Sequence, residues 1–188
     1  MSPAAPMAQS KRRMLLLLAL LFFTPLLLSF LLYYGSGWRP AGRTNHGVLI
    51  EPARALPLAA AGVLSGKWSL VYIGRGDCDA DCRDTLHYMR QTHLGLGNLI
   101  PRLQRVFLVT ANCCDRDYLA REQPGLITLN ADGAALAALL AQFPPERRAS
   151  TIFIVDPRGN LMMRYDAHED PKGLRDDLKK LLDLSHIG

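Results

Sequence analysis

Aromatic residues make up only 7% of this 188-residue chain, and its 49% hydrophobic share is carried mostly by leucine and alanine, which leans helical. Charged residues are 21%, enough apolar content remaining for a packed core, so whole-chain disorder is not the reading. Negative charge is missing altogether ahead of Arg39, and no charge of either sign falls between Met14 and Tyr34. A core helix of a soluble domain needs a polar face, so this run excludes a simple cytosolic protein. Several catalytic signatures are missing too. Neither Gly-x-Ser-x-Gly nor a Gly-x-x-x-x-Gly-Lys-Ser/Thr phosphate loop occurs, which removes the serine-hydrolase and phosphate-loop classes. No Pro-x-x-x-Thr-x-x-Cys arrangement supports a peroxidase. There is no internal repeat, no zinc-finger spacing and no basic patch interleaved with aromatics, so nucleic-acid binding is not expected.

The net charge of +5 is a local effect. Of the 22 basic residues, Lys11, Arg12 and Arg13 stand just before the apolar run, leaving 19 basic against 17 acidic side chains from residue 39 onward. A helix crossing the hydrocarbon core needs roughly 20 apolar residues, and residues 14–34 supply that length. Basic flanks stay on the cytoplasmic side, which predicts a cytoplasmic tail (1–13), a single-pass membrane helix (14–34) and everything beyond it outside. Tyr33, Tyr34 and Trp38 fall where an interfacial aromatic belt would lie. A cleaved signal peptide is the rival reading. Its apolar region would be only about 7–15 residues long and would end at an Ala-x-Ala-like site, for which Gly35-Ser36-Gly37 is a poor substitute. The expected location is the bacterial inner membrane with the C-terminal domain in the periplasm, an oxidising space where disulfides persist.

Residues 35–66 read as a tether, broken by Gly35, Gly37, Pro40, Gly42, Pro52 and Pro57. The compact domain is expected over 67–188. Trp68–Ile73 has strand character and is closed by Gly74, and Val106–Val109 and Thr151–Val155 are short buried-strand runs. The turn Asp156-Pro-Arg-Gly159 returns the chain into a further strand over Leu161–Arg164. Helical periodicity marks Thr85–Leu96, Ala134–Phe143 and Leu174–Leu184. That alternation predicts an α/β sheet covered by helices.

Gly76-Asp-Cys78-Asp-Ala-Asp-Cys82 follows the first strand and opens the first helix. Cysteines four apart on a helix share a face, about 6 Å between Cα atoms, within reach of a disulfide. The same sulfurs can instead converge on a soft ion such as Cu(I). The helix N-terminus favours a thiolate, whereas Asp77, Asp79, Asp81 and Asp84, offset by Arg75 and Arg83, disfavour it and draw a cation. A structural disulfide is the bland alternative, but so short a loop restricts the unfolded chain little. Cys113-Cys114 are expected as free thiols or as partners of the first pair. Among the other soft or titratable groups, His87 lies off the cysteine face and His93 continues the apolar face of its helix. His46 falls in the tether, and His168 and His186 flank the C-terminal helix. Met162-Met163 reads as strand packing, one side chain inward.

With the apolar segment, the first strand, the Cys78-x-x-x-Cys82 motif and Thr151-Ile-Phe-Ile-Val-Asp-Pro-Arg-Gly159, the chain resembles the Sco (SenC) family over roughly residues 67–184. Val106-Phe-Leu-Val-Thr110 looks like that family's strand after the first helix. The resemblance implies a membrane-anchored thioredoxin-like fold and a role in cytochrome c oxidase assembly, with Cys78 and Cys82 as redox thiols or as ligands to copper, Cu(I). It also implies, as partner, a respiratory oxidase subunit or another copper- or thiol-handling assembly factor. The place of the family's histidine ligand, counted back from Pro157, holds Arg148, and the proline of thioredoxins before this strand is missing. A basic residue there suits thiolates or an anion, which keeps two other readings open. One is a metal-independent thiol–disulfide oxidoreductase, the other a non-catalytic scaffold with a passive disulfide.

Overall fold

The computed structural model describes residues 7–35, 44–57, 62–130, 133–145, 150–170 and 172–188. Helix α1 (Met7–Gly35) is a unit of its own, and Thr44–Gly188 form a second, compact one. From Lys11 onward α1 is long and apolar enough to cross a membrane, and it continues through Pro25. Tyr33 and Tyr34 stand at its C-terminal end, whereas Trp38 lies outside the described residues.

The second unit is built on a mixed six-stranded sheet in the order β1-β6-β5-β2-β3-β4. Its strands are β1 (Val48–Ala55), β2 (Trp68–Gly74), β3 (Leu103–Val109), β4 (Leu126–Asn130), β5 (Thr151–Val155) and β6 (Asn160–Asp166). β2, β3 and β4 run parallel, and β5, β6 and β1 add antiparallel pairings. The helices are α2 (Ala80–Leu94), α3 (Arg116–Glu122), α4 (Gly133–Leu140) and α5 (Gly173–Leu184), with a 3-10 turn over Gly97–Arg102. Successive residues of a strand face opposite sides, so β2 feeds two cores. Leu70 and Tyr72 pack with Leu86 and Met89 of α2 and with Leu174, Leu178 and Leu182 of α5. Val71 and Ile73 pack on the other face with Leu139 of α4 and with Phe143. Burial on both faces explains the unbroken apolar runs of β2 and β5.

Two stretches depart from the sequence reading. The segment expected as a tether contains β1, which pairs with β6 at the sheet edge. Its register slips between Leu49 and Arg54, and Pro52 sits in that interruption. Proline cannot donate to a ladder and is confined to edges and bulges, so a residue read as a breaker marks an edge strand here. The region after Cys114 holds α3 and β4, neither of which has a periodic apolar pattern: α3 has seven residues and β4 five, at the opposite edge. Boundaries shift as well. α2 begins at Ala80, ahead of Thr85, and β6 runs on to Asp166.

His46, expected in the tether, holds the compact unit near its start. Its backbone N–H donates to Asp177 Oδ2 (2.7 Å) and its Nδ1 lies 3.0 Å from Oδ1, while Gly47 N–H donates to Oδ2 (3.2 Å) and the Tyr165 hydroxyl donates to the same oxygen. Glycine is required at 47, since a Cβ would stand 2.3 Å from the Tyr165 ring. The buried leucines of α5 contribute about 1.5–3 kcal/mol each. The leucines therefore dock α5, and Asp177 fixes which part of the chain lies against it. At the far end of α5, Arg102 donates to the carbonyls of Leu182, Ser185, Ile187 and Gly188 (2.7–2.9 Å), satisfying one last-turn acceptor of the helix and tying down the residues that follow it.

The hydrogen bond to Asp177 raises the His46 pKa above its ordinary 6.5. Burial pushes the Asp177 carboxyl up, but the hydrogen bonds from Tyr165, His46 and Gly47 outweigh it and hold the carboxyl below its ordinary 3.8. The raised histidine contributes fully below pH 6.5 and loses its contribution as pH rises through its folded pKa. The depressed carboxyl contributes above pH 3.8 and loses its share as pH falls through its own. The stability difference between the wild type and His46→Ala, measured by urea denaturation, is thus expected to be largest between about pH 4 and 6.5 and to shrink on either side. A difference independent of pH would contradict the ion pair.

Candidate functional site

Both cysteine segments leave the same end of the sheet. In the parallel β2–β3 pair Gly74 stands opposite Val109, so the loop into α2 and the loop after β3 emerge side by side. They are joined by backbone hydrogen bonds from Thr110 N–H to Gly74 O (2.9 Å), Gly76 N–H to Ala111 O (2.7 Å) and Asp115 N–H to Gly76 O (3.0 Å). Gly76 permits this approach, because a Cβ there would lie 2.5 Å from Cys113 Cα and 2.6 Å from Asn112 O.

Cys78 and Cys82 are joined by a disulfide with Cα atoms 5.1 Å apart, so the pair comes together as the spacing predicts. The local geometry differs from the helical expectation. Cys78 precedes α2 and has φ +41°, and only Cys82 is helical. Asp79 is the N-cap, its Oδ1 accepting from Cys82 N–H at 3.0 Å. Arg83 ties the two loops: its Nε donates to Cys78 O (3.1 Å), its Nη2 to Asp115 Oδ2 (3.1 Å), and its guanidinium lies 4.7 Å over the Tyr118 ring. Each of the two cysteines is only 2% exposed.

The carboxylates around the motif are less free to draw a cation than their number suggests. Arg75 donates to both oxygens of Asp77 (3.1 and 2.8 Å), and this pairing, helped by Asn112, holds the Asp77 carboxyl down to about 2. Asp79 is committed to the helix cap and Asp115 to Arg83 and the α3 cap. A small cavity of about 230 Å³ reaches Cys82 between Tyr72, Gly74, Arg75, Asp79 and Thr110. A second, open groove of about 600 Å³ lies between α2 and α3, lined by polar and charged residues including Arg83, His87, Asp115 and Arg121.

Cys113 and Cys114 differ from the expectation of free thiols or cross-partners. They are joined to each other across a cis peptide bond, their Cα atoms 3.1 Å apart, while Cys78 and Cys82 already satisfy one another. Cys113 is exposed, whereas Cys114 is half-buried and packs on the core cluster that contains Cys78 and Cys82.

Each remaining candidate has its own place. His87 lines the open groove, and His93 lies 3.2 Å from Leu103 O, its pKa lowered by burial. His168 and His186 are exposed. Met163 is buried and Met162 partly so. Arg148 lies outside the described residues. Among the described residues no group of three or more His, Cys, Asp or Glu is placed to hold a metal ion.

A disulfide held between a parallel strand and the helix that follows it, on a mixed sheet with helices on both faces, defines a thioredoxin-like protein. The family described as "transmembrane-like, thioredoxin-like, C-terminal domain" matches residues 68–185. The chain belongs to that family. Its fold is similar to that of yeast Sco1 solved with copper bound (TM-score 0.58, 17% identity, covering 77% of this chain and 96% of that one). Arabidopsis thaliana ScoI with copper bound has TM-score 0.54 at 18% identity, over 66% and 89% of the two chains. Bradyrhizobium japonicum ScoI with copper bound has TM-score 0.51 at 18% identity, over 64% and 88%. At these identities the likeness is one of fold. A search of curated proteins finds no match.

Replacing Asp79 with alanine removes the oxygen that accepts from Cys82 N–H. It is expected to lower stability by about 1 kcal/mol, and Asp79→Asn, which can still cap, by much less. Urea denaturation with the Cys78–Cys82 bond intact measures both. Equal losses for the two variants would show that the cap is not what Asp79 contributes.

Proposed function

We propose that this chain is a membrane-anchored, periplasm-facing thiol- and copper-handling factor in the assembly of a respiratory oxidase, working through Cys78 and Cys82. The observation that carries the reading is the Cys78–Cys82 disulfide at the β2–α2 junction of a fold shared with Sco proteins solved with copper bound. The apolar length of α1, with Lys11, Arg12 and Arg13 at its start, supports a single-pass anchor with the domain outside the cytoplasm.

The chemistry follows from the pair. Two electrons and two protons open the disulfide to two thiols beside a helix N-terminus, where the positive end of the helix favours thiolate. Two thiolates are soft ligands suited to Cu(I), which is here a cargo passed on to an oxidase subunit or to another assembly factor. Deprotonation accompanies loading, so uptake weakens as pH falls. A second reading, a metal-independent thiol–disulfide oxidoreductase, is favoured by one feature: Asp77 and Asp79 are committed to Arg75 and to the helix cap, which reduces the pull on a cation.

An anaerobic Cu(I) competition titration with bicinchoninate, on the reduced full-length chain in detergent, separates the two. The proposal expects tight binding that weakens by more than about a hundredfold in Cys78→Ser/Cys82→Ser, where both soft ligands are lost, and that survives in Cys113→Ser/Cys114→Ser. Binding no tighter than that of the Cys78→Ser/Cys82→Ser variant would overturn the copper assignment and leave thiol exchange.

A further inference from the structure

The two disulfides differ in exposure. Cys78 and Cys82 are each 2% exposed, and the cavity that reaches Cys82, about 230 Å³, has room for a small group but not for a thiolate carried by another protein. Thiol–disulfide exchange needs direct attack on a sulfur, and access controls its rate. Cys113, on the neighbouring loop, is exposed. Cys114, bonded to it, is half-buried and packs on the core cluster to which Cys78 and Cys82 belong. The two loops are held together at Gly76 by backbone hydrogen bonds and by Arg83, which grips Cys78 O on one loop and Asp115, next to Cys114, on the other.

From this juxtaposition we infer that Cys113–Cys114 is the electron entry port for Cys78–Cys82, accepting two electrons from a protein dithiol and relaying them inward. The inference rests on the redox role proposed for Cys78 and Cys82. A donor thiolate attacks Sγ of Cys113, the Cys113–Cys114 bond breaks, and the electron pair leaves on Cys114. The donor's second thiolate then attacks its own sulfur in the mixed disulfide. This releases Cys113 as a thiolate and leaves the donor oxidised to a disulfide. Cys114 next attacks one sulfur of Cys78–Cys82, breaking that bond and releasing the other sulfur. Cys113 closes back onto Cys114, reforming their bond and freeing the second core thiol. The donor's two protons finish on Cys78 and Cys82. Arg83 is a positioning residue in this scheme, setting the separation of the loops.

The test follows reduction of Cys78–Cys82 in the oxidised full-length chain in detergent, by acid quench, maleimide labelling and peptide mass spectrometry. Reduced thioredoxin serves as the protein dithiol and tris(2-carboxyethyl)phosphine as a small reductant. Replacing both Cys113 and Cys114 with serine should slow reduction by thioredoxin more than about tenfold while leaving the phosphine rate unchanged, because a small reductant can reach Cys82 through the 230 Å³ cavity that a protein cannot enter. An unchanged thioredoxin rate overturns the relay, and so does an equal fall with both reductants.

A second measurement does not depend on that variant. Cys82→Ser/Cys113→Ser and Cys78→Ser/Cys113→Ser each retain Cys114 and one core cysteine. On diamide oxidation at least one of them should form the intramolecular disulfide, and failure of both overturns the inference. The Cu(I) titration stands apart from these results. Lost copper binding with slowed reduction in the serine variant removes the copper assignment alone, whereas retained binding with no slowing removes the relay alone.

Discussion

The backbone at Gly76 lies so close to Asn112 and Cys113 that no side chain fits between them, and the cysteine end of the molecule is organised by that contact. Parallel strands β2 and β3 deliver their following loops to one edge, but the strands alone do not make the loops touch. Three main-chain hydrogen bonds and one missing Cβ do. The close approach then sets the surroundings of both cysteine pairs, since Cys78 lies two residues beyond Gly76 and Cys113 packs directly on it. Arg83 reinforces the contact from the helix side, joining a carbonyl of one loop to a carboxylate of the other.

The sheet supplies what this arrangement needs. β2 is central and buried on both faces, so the start of α2 is anchored on a rigid strand, and the buried disulfide packs among Leu86, Tyr72 and the leucines of α5. Burial shields those sulfurs from a protein-sized partner. The 230 Å³ cavity at Cys82 is room for a small group, whereas the larger groove beside α3 is open and charged.

Much of this was legible in the sequence because it rests on local pattern. The apolar runs of β2, β3 and β5, the hairpin at Asp156–Gly159 and the stripe Leu174–Leu178–Leu182 each carry their own period, and the structure places elements at all of them. The Cys78-x-x-x-Cys82 spacing likewise put the two sulfurs within reach of each other, leaving a disulfide or a shared soft ion open, and the structure contains the disulfide. What could not be read depends on partners distant in the chain. β1 carries Pro52, a breaker unless a strand lies on one side only, and its partner β6 is more than a hundred residues away. Asp177 is unremarkable in a charged helix until His46, Gly47 and Tyr165 converge on it. Of the aspartates around the motif, Asp77 is in space an ion-pair partner of Arg75 and Asp79 a helix cap. The pairing of adjacent Cys113 and Cys114 had no signal beyond their adjacency. The expected histidine position, Arg148, falls outside the described residues.

The Asp177 cluster has a mechanical consequence. The compact unit begins at Thr44, so any tension transmitted along the chain from the direction of α1 enters there. Three of the first bonds it meets join His46 and Gly47 to a single carboxylate on α5. Those bonds take the load before the edge pairing of β1 with β6 does, and they direct it into a helix seated by three leucines on the central core. Such a load is therefore met by α5, which its leucines seat in the central core, before it draws on the edge strand β1.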